Sequence, residues 1–435
     1  MAPTLVIVNA TLLSEAGRPL QDGRFVAIEG GFIGPVGSMD HFPGPGDAQV
    51  IDARSRLLMP GLVNGHTHGA MTLFRGFADD LALQDWLRNH IFPAEAAHVN
   101  REMAYWCTKL AAAEMIRSGT TCVADAYFHS SEAARAFNDA GMRAVVGHGI
   151  VDFPAPSVPD PAKNIETVAR FVDNWLGTSP LITPAVFPHA PYTCSPATLK
   201  KAKELADAKG VRLLTHIAET RSEMTQITDP RGSSPIKHLH ALGLIDDNCT
   251  CIHAVWADEH DLDLLAASDA SVVTCPQSNA KLASGIAPVR GMLARGITVG
   301  IGTDGCASNN SLDMFREMDM LAKLQKLAGA DPTALPAAEV LGCATSSGAE
   351  AVGLDGLGAI KTGGRADLIL VDLSTPHLNP LYSADLLVYS GGAGNVDSVI
   401  IDGRLIMQDR VILSFDIGEA AARVRDLAAR VGAAL

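Results

Sequence analysis

Apolar, strand-like stretches alternate with helical patterns through the middle of this chain, and that alternation restricts the choice of fold more than any other feature. Eight such stretches lie at 62–66, 120–125, 143–147, 182–188, 212–215, 249–252, 271–274 and 298–302. Apolar strands separated by helices indicate a parallel sheet buried on both faces. Eight units favour a (β/α)8 barrel, a TIM-like α/β fold. A doubly wound sheet is the alternative, although the glycine-rich first turn of dinucleotide-binding folds is missing.

The two ends of the chain differ from this middle part. Residues 3–58 contain short predicted strands punctuated by Gly and Pro, and the same style returns near the carboxyl end before an amphipathic helix at 418–431. We therefore expect a discontinuous β-sandwich domain built from residues 1–58 and 364–435. The barrel would then occupy residues 59–363.

Composition and charge narrow the classes of function. The chain has 435 residues, of which 47% are hydrophobic and 19% charged, as in a globular protein. A net charge of −14 without a basic run disfavours nucleic-acid binding. The amino-terminal residues lack a signal-peptide pattern and no apolar run is long enough for a membrane span, so we expect a cytoplasmic protein. The cysteines lie in apolar context without a C-x-x-C pair, which predicts buried, reduced thiols.

Polar side chains end four of the eight predicted barrel strands. His66 and His68 follow the first strand and, being two apart, can face the same way. His216 ends the fifth strand, His253 the sixth and Asp304 the eighth. Each has an ordinary structural explanation by itself, such as a helix N-cap for Asp304. Together at the carboxyl rim of a barrel, where such enzymes place their chemistry, His and Asp predict a divalent transition-metal site.

Several stretches resemble a known family. Residues 60–68, with the sequence PGLVNGHTH, resemble the opening motif of the amidohydrolase superfamily, and residues 216–219, 253, 275–279 and 302–305 fit the same superfamily in order and spacing. The resemblance covers nearly the whole chain. It is strongest to the branch of methylthioadenosine/S-adenosylhomocysteine deaminases and triazine chlorohydrolases. Residues 69–76, with Trp86 and Glu95, are typical of its nucleoside deaminases.

The resemblance implies roles for particular residues. The implied ligands of one divalent metal, Zn²⁺ or alternatively Fe²⁺, are His66, His68, His216 and Asp304. Glu219 is implied as the proton shuttle, His253 orients the attacking water, and Asp304 also takes part in proton transfer. Relatives with two metals bridge them with a carboxylated lysine or an acid from a middle strand. The fourth strand here ends in His189 without a lysine, which favours a single metal.

The implied reaction is hydrolytic deamination of an adenine nucleoside at C6. Glu219 would protonate N1 of the base, Trp86 would line the pocket, Glu95 would accept hydrogen bonds from the ribose hydroxyls, and His189 would contact the base. Without a ligand role, Trp86 is a core anchor and Glu95 a solvated acid near a helix start. The family also implies a homo-oligomer, a dimer or higher.

The loop at 149–159, which follows the third strand, bears on the choice of nucleoside. It contains no Arg, the cation best suited to bind the carboxylate of S-adenosylhomocysteine, whereas Phe153 and several prolines suit an apolar thioether. We therefore expect 5′-methylthioadenosine and adenosine to be preferred. The alternatives are a deaminase or chlorohydrolase acting on a free base, guanine or an aminotriazine, and a non-catalytic scaffold. The scaffold is disfavoured because every implied ligand is present.

Overall fold

The computed structural model describes residues 2–81 and 85–432. The amino-terminal segment forms five short strands, which are β1 (Leu5–Leu12), β2 (Gln21–Glu29), β3 (Phe32–Ser38), β4 (Gln49–Asp52) and β5 (Arg56–Pro60). Four of them, β1, β2, β4 and β5, contain the strands that the sequence predicts at 5–8, 25–28, 50–51 and 57–59. β3 was not predicted, because its Gly and Pro residues weaken the alternating pattern.

The middle of the chain forms the predicted barrel. Its strands are β6 (Leu62–Thr67), β7 (Thr120–Tyr127), β8 (Arg143–Ile150), β9 (Ile182–Pro188), β10 (Leu213–Ile217), β11 (Cys249–His253), β12 (Ser271–Thr274) and β13 (Val299–Ile301). Neighbours in this order pair in parallel. All eight predicted strands are confirmed, and so is the fold class.

Closure of the barrel between β13 and β6 depends on a glycine. The backbone N–H of Asp304 donates to the carbonyl of His66 at 3.0 Å, which joins the last strand end to the first. A Cβ atom added at Gly302 would lie 2.6 Å from the backbone nitrogen of His66. Only glycine allows the two strand ends to approach this closely, and the approach brings Asp304 beside the first histidines.

Helices surround the barrel and the sheet. They are α1 (Phe92–His98), α2 (Arg101–Arg117), α3 (Ser130–Ala140), α4 (Asn164–Trp175), α5 (Pro196–Lys209), α6 (Arg221–Arg231), α7 (Pro235–Ala241), α8 (Glu259–Ala267), α9 (Pro276–Lys281), α10 (Val289–Ala294), α11 (Met314–Gly329), α12 (Ala337–Cys343), α13 (Ser346–Ala351), α14 (Asp385–Ser390) and α15 (Ile417–Gly432). A 3-10 turn at Gly69–Phe74 and a π-helical turn at Trp86–Ile91 precede α1. The predicted helix over 101–117 and the terminal helix are both confirmed.

The remaining strands come from the carboxyl end of the chain. They are β14 (Leu368–Asp372), β15 (Val396–Ile401), β16 (Arg404–Gln408) and β17 (Val411–Ile412). With the first five strands they form one nine-stranded sheet in the order β17-β16-β15-β14-β5-β1-β2-β3, with β4 beside β1. The two chain ends thus build one β-rich unit, as predicted. The domain boundaries and the oligomeric state stay predictions.

Two further expectations concern the cysteines and membrane-spanning helices. All eight cysteines are buried, as predicted, and their reduced state stays a prediction. Across residues 2–81 and 85–432, every helix is too short or too polar to span a bilayer.

A buried ion pair fastens the barrel to the nine-stranded sheet. Arg143, at the start of β8, is 3% exposed and donates to both carboxylate oxygens of Asp367 at 2.8 and 2.9 Å. Its guanidinium also donates to Asp402 at 2.9 Å and to the carbonyl of Pro180 at 2.8 Å. Four acceptors therefore satisfy a charge that would otherwise be costly to bury.

We expect Asp367→Ala to lower the free energy of unfolding by about 3–5 kcal/mol, because it leaves the Arg143 charge buried without its bidentate partner. Urea denaturation followed by circular dichroism would measure the change. The matched control is Glu15→Ala, which removes the exposed ion pair with Arg18 and should cost less than about 1 kcal/mol. Equal effects of the two substitutions would contradict this interpretation.

Candidate active site

The carboxyl ends of β6, β10 and β13 bring the predicted metal ligands together. The Nε2 atoms of His66 and His216 lie 3.1 Å apart. Oδ1 of Asp304 is 3.5 Å from Nε2 of His66 and 3.4 Å from Nε2 of His68. The ligand atoms of the three histidines all lie within 4.8 Å of one another. Three imidazoles and a carboxylate held this close together are the donor types of a divalent transition-metal site.

The protonation states of these side chains also suit a metal. Burial lowers the pKa of His66 to about 4, lowers that of His68, and lowers that of His216 well below its usual value, so the imidazoles are neutral. Burial opposes ionisation of Asp304, but the hydrogen bond from His66 and the nearby imidazoles hold its pKa well below the usual range. Nδ1 of His68 donates to the carbonyl of Ala126, which leaves its Nε2 as the ligand atom.

Two serine hydroxyls hold the carboxylate of Asp304. Ser278 and Ser308 both donate to its Oδ2, at 2.6 and 2.9 Å, and the N–H of Gly305 donates to Oδ1 at 2.8 Å. The backbone of Asp304 is in the left-handed region with φ 59°. Such a conformation persists where surrounding bonds fix it, and here these bonds orient Oδ1 towards the histidines.

Glu219 and His253 lie beside this cluster. Nε2 of His253 is 4.0 Å from Oε2 of Glu219. Nδ1 of His253 donates to Oδ1 of Asn279 at 3.0 Å, so Nε2 is left as an acceptor that faces the site. Burial raises the pKa of Glu219, while His253 opposes that shift. A buried carboxyl with a raised pKa is suited to give up a proton as a general acid.

A cavity of about 360 Å³ opens above the cluster and contains the predicted substrate residues. Trp86, Glu95 and His189 line it together with His68, His216, Glu219, His253 and Asp304. His66 is fully buried and does not line the cavity. The structure therefore brings every predicted site residue together around one cavity and its floor. Their individual roles stay predictions.

Glu95 is not the solvated acid that its sequence context allowed. Its side chain is 7% exposed, and Oε1 accepts a hydrogen bond from the hydroxyl of Tyr127 at 2.5 Å. Burial raises the pKa of Glu95 to about 7, although the bond from Tyr127 opposes this. Trp86 is likewise buried against the cavity. Burial and a single phenolic donor leave Glu95 with acceptor capacity for a ligand.

Some residues around the site were missed by the sequence analysis. Tyr127 supports Glu95, Asn279 fixes His253, and Glu223 binds the backbone beside Glu219. Tyr127 ends β7, so its position at a strand end was a usable signal. Asn279 lies within the 275–279 stretch but carried no assigned role. Glu223 resembles an ordinary helix-capping residue in the sequence.

Comparison with known proteins places the chain in a family. Residues 57–406 match the amidohydrolase family. The chain belongs to this family. It is 44% identical over 432 residues to a protein of Syntrophus aciditrophicus (strain SB) named 5-methylthioadenosine/S-adenosylhomocysteine deaminase 1, and the match covers 98% of this chain and 97% of that protein.

Two other relatives are similar over their whole length. A protein of Methanosarcina mazei named 5′-deoxyadenosine deaminase is 42% identical over 436 residues, with 98% of this chain and 99% of that protein covered. The crystal structure of an adenosine deaminase from Xanthomonas campestris with bound zinc is 37% identical, with a TM-score of 0.95 over 99% of this chain and 98% of that chain. These matches confirm the resemblance to the nucleoside-deaminase branch.

We expect the purified chain to hold about one divalent ion, because three imidazoles lie within 4.8 Å of one another and Asp304 lies within 3.5 Å of two of them. Elemental analysis after dialysis would measure the ratio. His216→Ala should lower metal content severalfold, since it removes one of the converging imidazoles. His260→Ala, which changes an exposed histidine outside the site, should leave it unchanged. A ratio near two, or unchanged metal content in His216→Ala, would contradict the single site.

Proposed function

We propose that this amidohydrolase is an aminohydrolase that replaces the 6-amino group of adenine nucleosides by oxygen and releases ammonia. The observation that carries the proposal is the position of Glu219. Its buried carboxyl, with a raised pKa, lies beside the predicted ligand set and lines the same cavity as Glu95. Glu219, as a proton donor to the adenine ring, and Glu95, as a hydrogen-bond acceptor for the ribose, thus line the same cavity. The printed names of the relatives support this class of substrate.

We infer that zinc is held by His66, His68, His216 and Asp304. Three neutral imidazoles and one carboxylate form a donor set that fits this metal. A divalent metal there would supply a hydroxide nucleophile at neutral pH, because it lowers the pKa of water from about 15.7 towards about 7. The relative from X. campestris with bound zinc supports the inference.

Three residues of the chain have separate roles in moving protons and orienting the water. Glu219 donates a proton to N1 of the adenine, so that the ring can accept electrons when C6 is attacked. His253 presents Nε2 as an acceptor and orients the attacking water. The carboxylate of Asp304 is ionised and takes the proton of the water, which later leaves with ammonia. Each residue is restrained by a hydrogen bond or by burial before substrate arrives.

The sugar end of the cavity favours a nucleoside over a free base. The carboxylate of Glu95 can accept bonds from the ribose 2′ and 3′ hydroxyls, and Trp86 gives an apolar wall. A free-base deaminase or a triazine chlorohydrolase has no ribose to satisfy this buried acid. Tyr127 donates to Oε1 of Glu95 only, and the remaining acceptor capacity of this buried carboxyl supports a ligand with hydroxyl donors.

The part of the cavity formed by residues 149–159 is apolar. Phe153 lies 6.1 Å from Phe92, measured between ring centroids, and Pro154, Ala155 and Pro156 continue this wall. Among the described residues that line the cavity there is neither Lys nor Arg. We infer that this wall faces the 5′ substituent of the nucleoside. It suits a methylthio, deoxy or hydroxymethyl group better than a zwitterionic amino acid.

Two arginines line a different cavity. Arg101 and Arg170 border a second, polar cavity of about 480 Å³, together with His148 and Ser157. Ser157 belongs to the same loop as Phe153, so the loop stands between the two cavities. A cation that could bind the carboxylate of S-adenosylhomocysteine is therefore found in the second cavity and not in the wall around Phe153.

We expect 5′-methylthioadenosine and adenosine to be deaminated with higher kcat/KM than S-adenosylhomocysteine, because the wall around Phe153 offers no cation to the carboxylate. Ammonia release and the ultraviolet change from adenine to hypoxanthine would be measured for all three. Guanine and an aminotriazine complete the set. Turnover of either in place of the nucleosides would refute the proposed function.

A pair of substitutions sharpens this comparison. Phe153→Arg should raise the ratio of kcat/KM for S-adenosylhomocysteine over 5′-methylthioadenosine by about tenfold or more, since a charged hydrogen bond contributes about 1.5–3 kcal/mol. Phe153→Leu, the matched control, should keep the apolar preference. If wild type instead favours S-adenosylhomocysteine, its amino-acid end reaches the second cavity and our interpretation of the loop is wrong.

We expect Glu219→Gln to keep its metal and to lose turnover by about 10²–10⁴-fold, because the amide cannot act as the acid at N1. Steady-state kinetics and elemental analysis would be made on the same preparation. Glu259→Gln, on an exposed helix start, is the control and should behave as wild type. Near-normal turnover of Glu219→Gln would remove this residue from the mechanism.

A further inference from the structure

Glu219 lies in a short turn between β10 and α6, and a second buried glutamate binds the backbone of that turn. The carboxylate of Glu223 accepts hydrogen bonds from the N–H of Ala218 at 2.9 Å and of Glu219 at 2.8 Å. We propose that Glu223 is a positioning residue, which fixes the proton-donating side chain of Glu219 by clamping the backbone on which it stands. This inference rests on the proposed role of Glu219.

The contacts of Glu223 differ from those of a helix-capping residue. Thr220 and Glu223 have the spacing of a capping box, in which the glutamate returns to the N–H of the cap residue. The first half of that box is present, since Oγ1 of Thr220 accepts from the N–H of Glu223 at 3.2 Å. The carboxylate of Glu223, however, does not bind the N–H of Thr220. It accepts instead from the N–H groups of the two residues before Thr220, which are Ala218 and Glu219. It therefore stabilises the turn that carries Glu219.

The turn needs such a constraint because its backbone is strained. Ala218 has φ 50°, in the left-handed region that residues with a side chain seldom adopt. A conformation of this kind costs about 1–3 kcal/mol and persists only where the surroundings fix it. Two hydrogen bonds accepted by one buried carboxyl group can supply that stabilisation. Without them, the turn is free to relax and carry the side chain of Glu219 with it.

Each carboxylate oxygen of Glu223 accepts one of these two hydrogen bonds, Oε1 from Ala218 and Oε2 from Glu219. The residue is 2% exposed and no lysine or arginine among the described residues pairs with it. A carboxylate is an acceptor at both oxygens, so it can bind two N–H groups side by side, whereas an amide offers one acceptor and one donor group. The geometry requires two acceptors and therefore distinguishes Glu from Gln at nearly constant volume.

We expect Glu223→Gln to lower kcat by about 10–100-fold, the usual effect of losing a group that orients an active residue, with little change in KM or metal content. In a Glu219→Gln background the same substitution should lower kcat less than about twofold, because the side chain it positions has lost its function. Amide hydrogen exchange should also become faster at Ala218 and Glu219.

The matched control is a buried capping carboxylate outside the candidate site, which also accepts a hydrogen bond from Ser234 at 2.6 Å and lies 3.8 Å from Nζ of Lys237. Asp261, at the third position of α8, is buried and forms a complete capping box with Asp258. Asp261→Asn should lower stability and leave kcat unchanged in both backgrounds. If Glu223→Gln fails to fold, Glu223→Asp retains the charge but is one methylene shorter. It should then show the same loss of kcat and the same faster exchange.

Two results would overturn the proposal. One is unchanged kcat in a folded Glu223 variant, and the other is an equal loss of kcat in the wild-type and Glu219→Gln backgrounds, which would indicate a purely structural role. Failure of the proposed function is distinguishable, since wild type would then deaminate no nucleoside. In that case unchanged exchange at Ala218 and Glu219 would reject the clamp itself, and faster exchange would support it.

Discussion

The close approach of two neutral imidazole nitrogens is the constraint on which the rest of the site depends. Nε2 of His66 and Nε2 of His216 lie 3.1 Å apart in a buried position, with the carboxylate of Asp304 3.5 Å from the first. A divalent cation bound between these nitrogens and the carboxylate would use all three groups as ligands, so the arrangement fits the proposed metal site. The barrel makes the approach possible, because its closure at Gly302 brings the first and last strand ends together.

Around this centre, three residues with a strained backbone are each held by a hydrogen bond to a buried side chain. The strand-end residues Ala218, His253 and Asp304 all have left-handed backbones, with φ values of 50°, 76° and 59°. Each is accompanied by a buried polar partner, namely Glu223 for the first, Asn279 for the second and Ser278 for the third. Strained turns re-aim side chains at the rim, and the hydrogen bonds hold them there.

The sequence predicted the barrel and its convergent ligands because both follow from local patterns. The residues of an apolar strand show the pattern that predicts it. A histidine at the carboxyl end of such a strand is then expected at the catalytic face of the barrel. Glu223 could not be interpreted in the same way, because its spacing from Thr220 also fits a capping box. The buried state of Glu95 depends on Tyr127, which is remote in the chain. Nor does any local pattern pair Phe92 with Phe153.

Chemistry and specificity therefore occupy different parts of this fold. The proposed ligands and Glu219 stand at or beside strand ends that are held by barrel closure and by buried polar side chains. The walls that meet the sugar and the 5′ substituent come from loops, such as the one that carries Phe153, and loops vary without disturbing the barrel. A single substitution in a loop can then alter which nucleoside fits, whereas a change beside Glu219 alters the rate for all of them. Under the proposed function, the loops select the substrate, while the residues at the strand ends carry out the deamination.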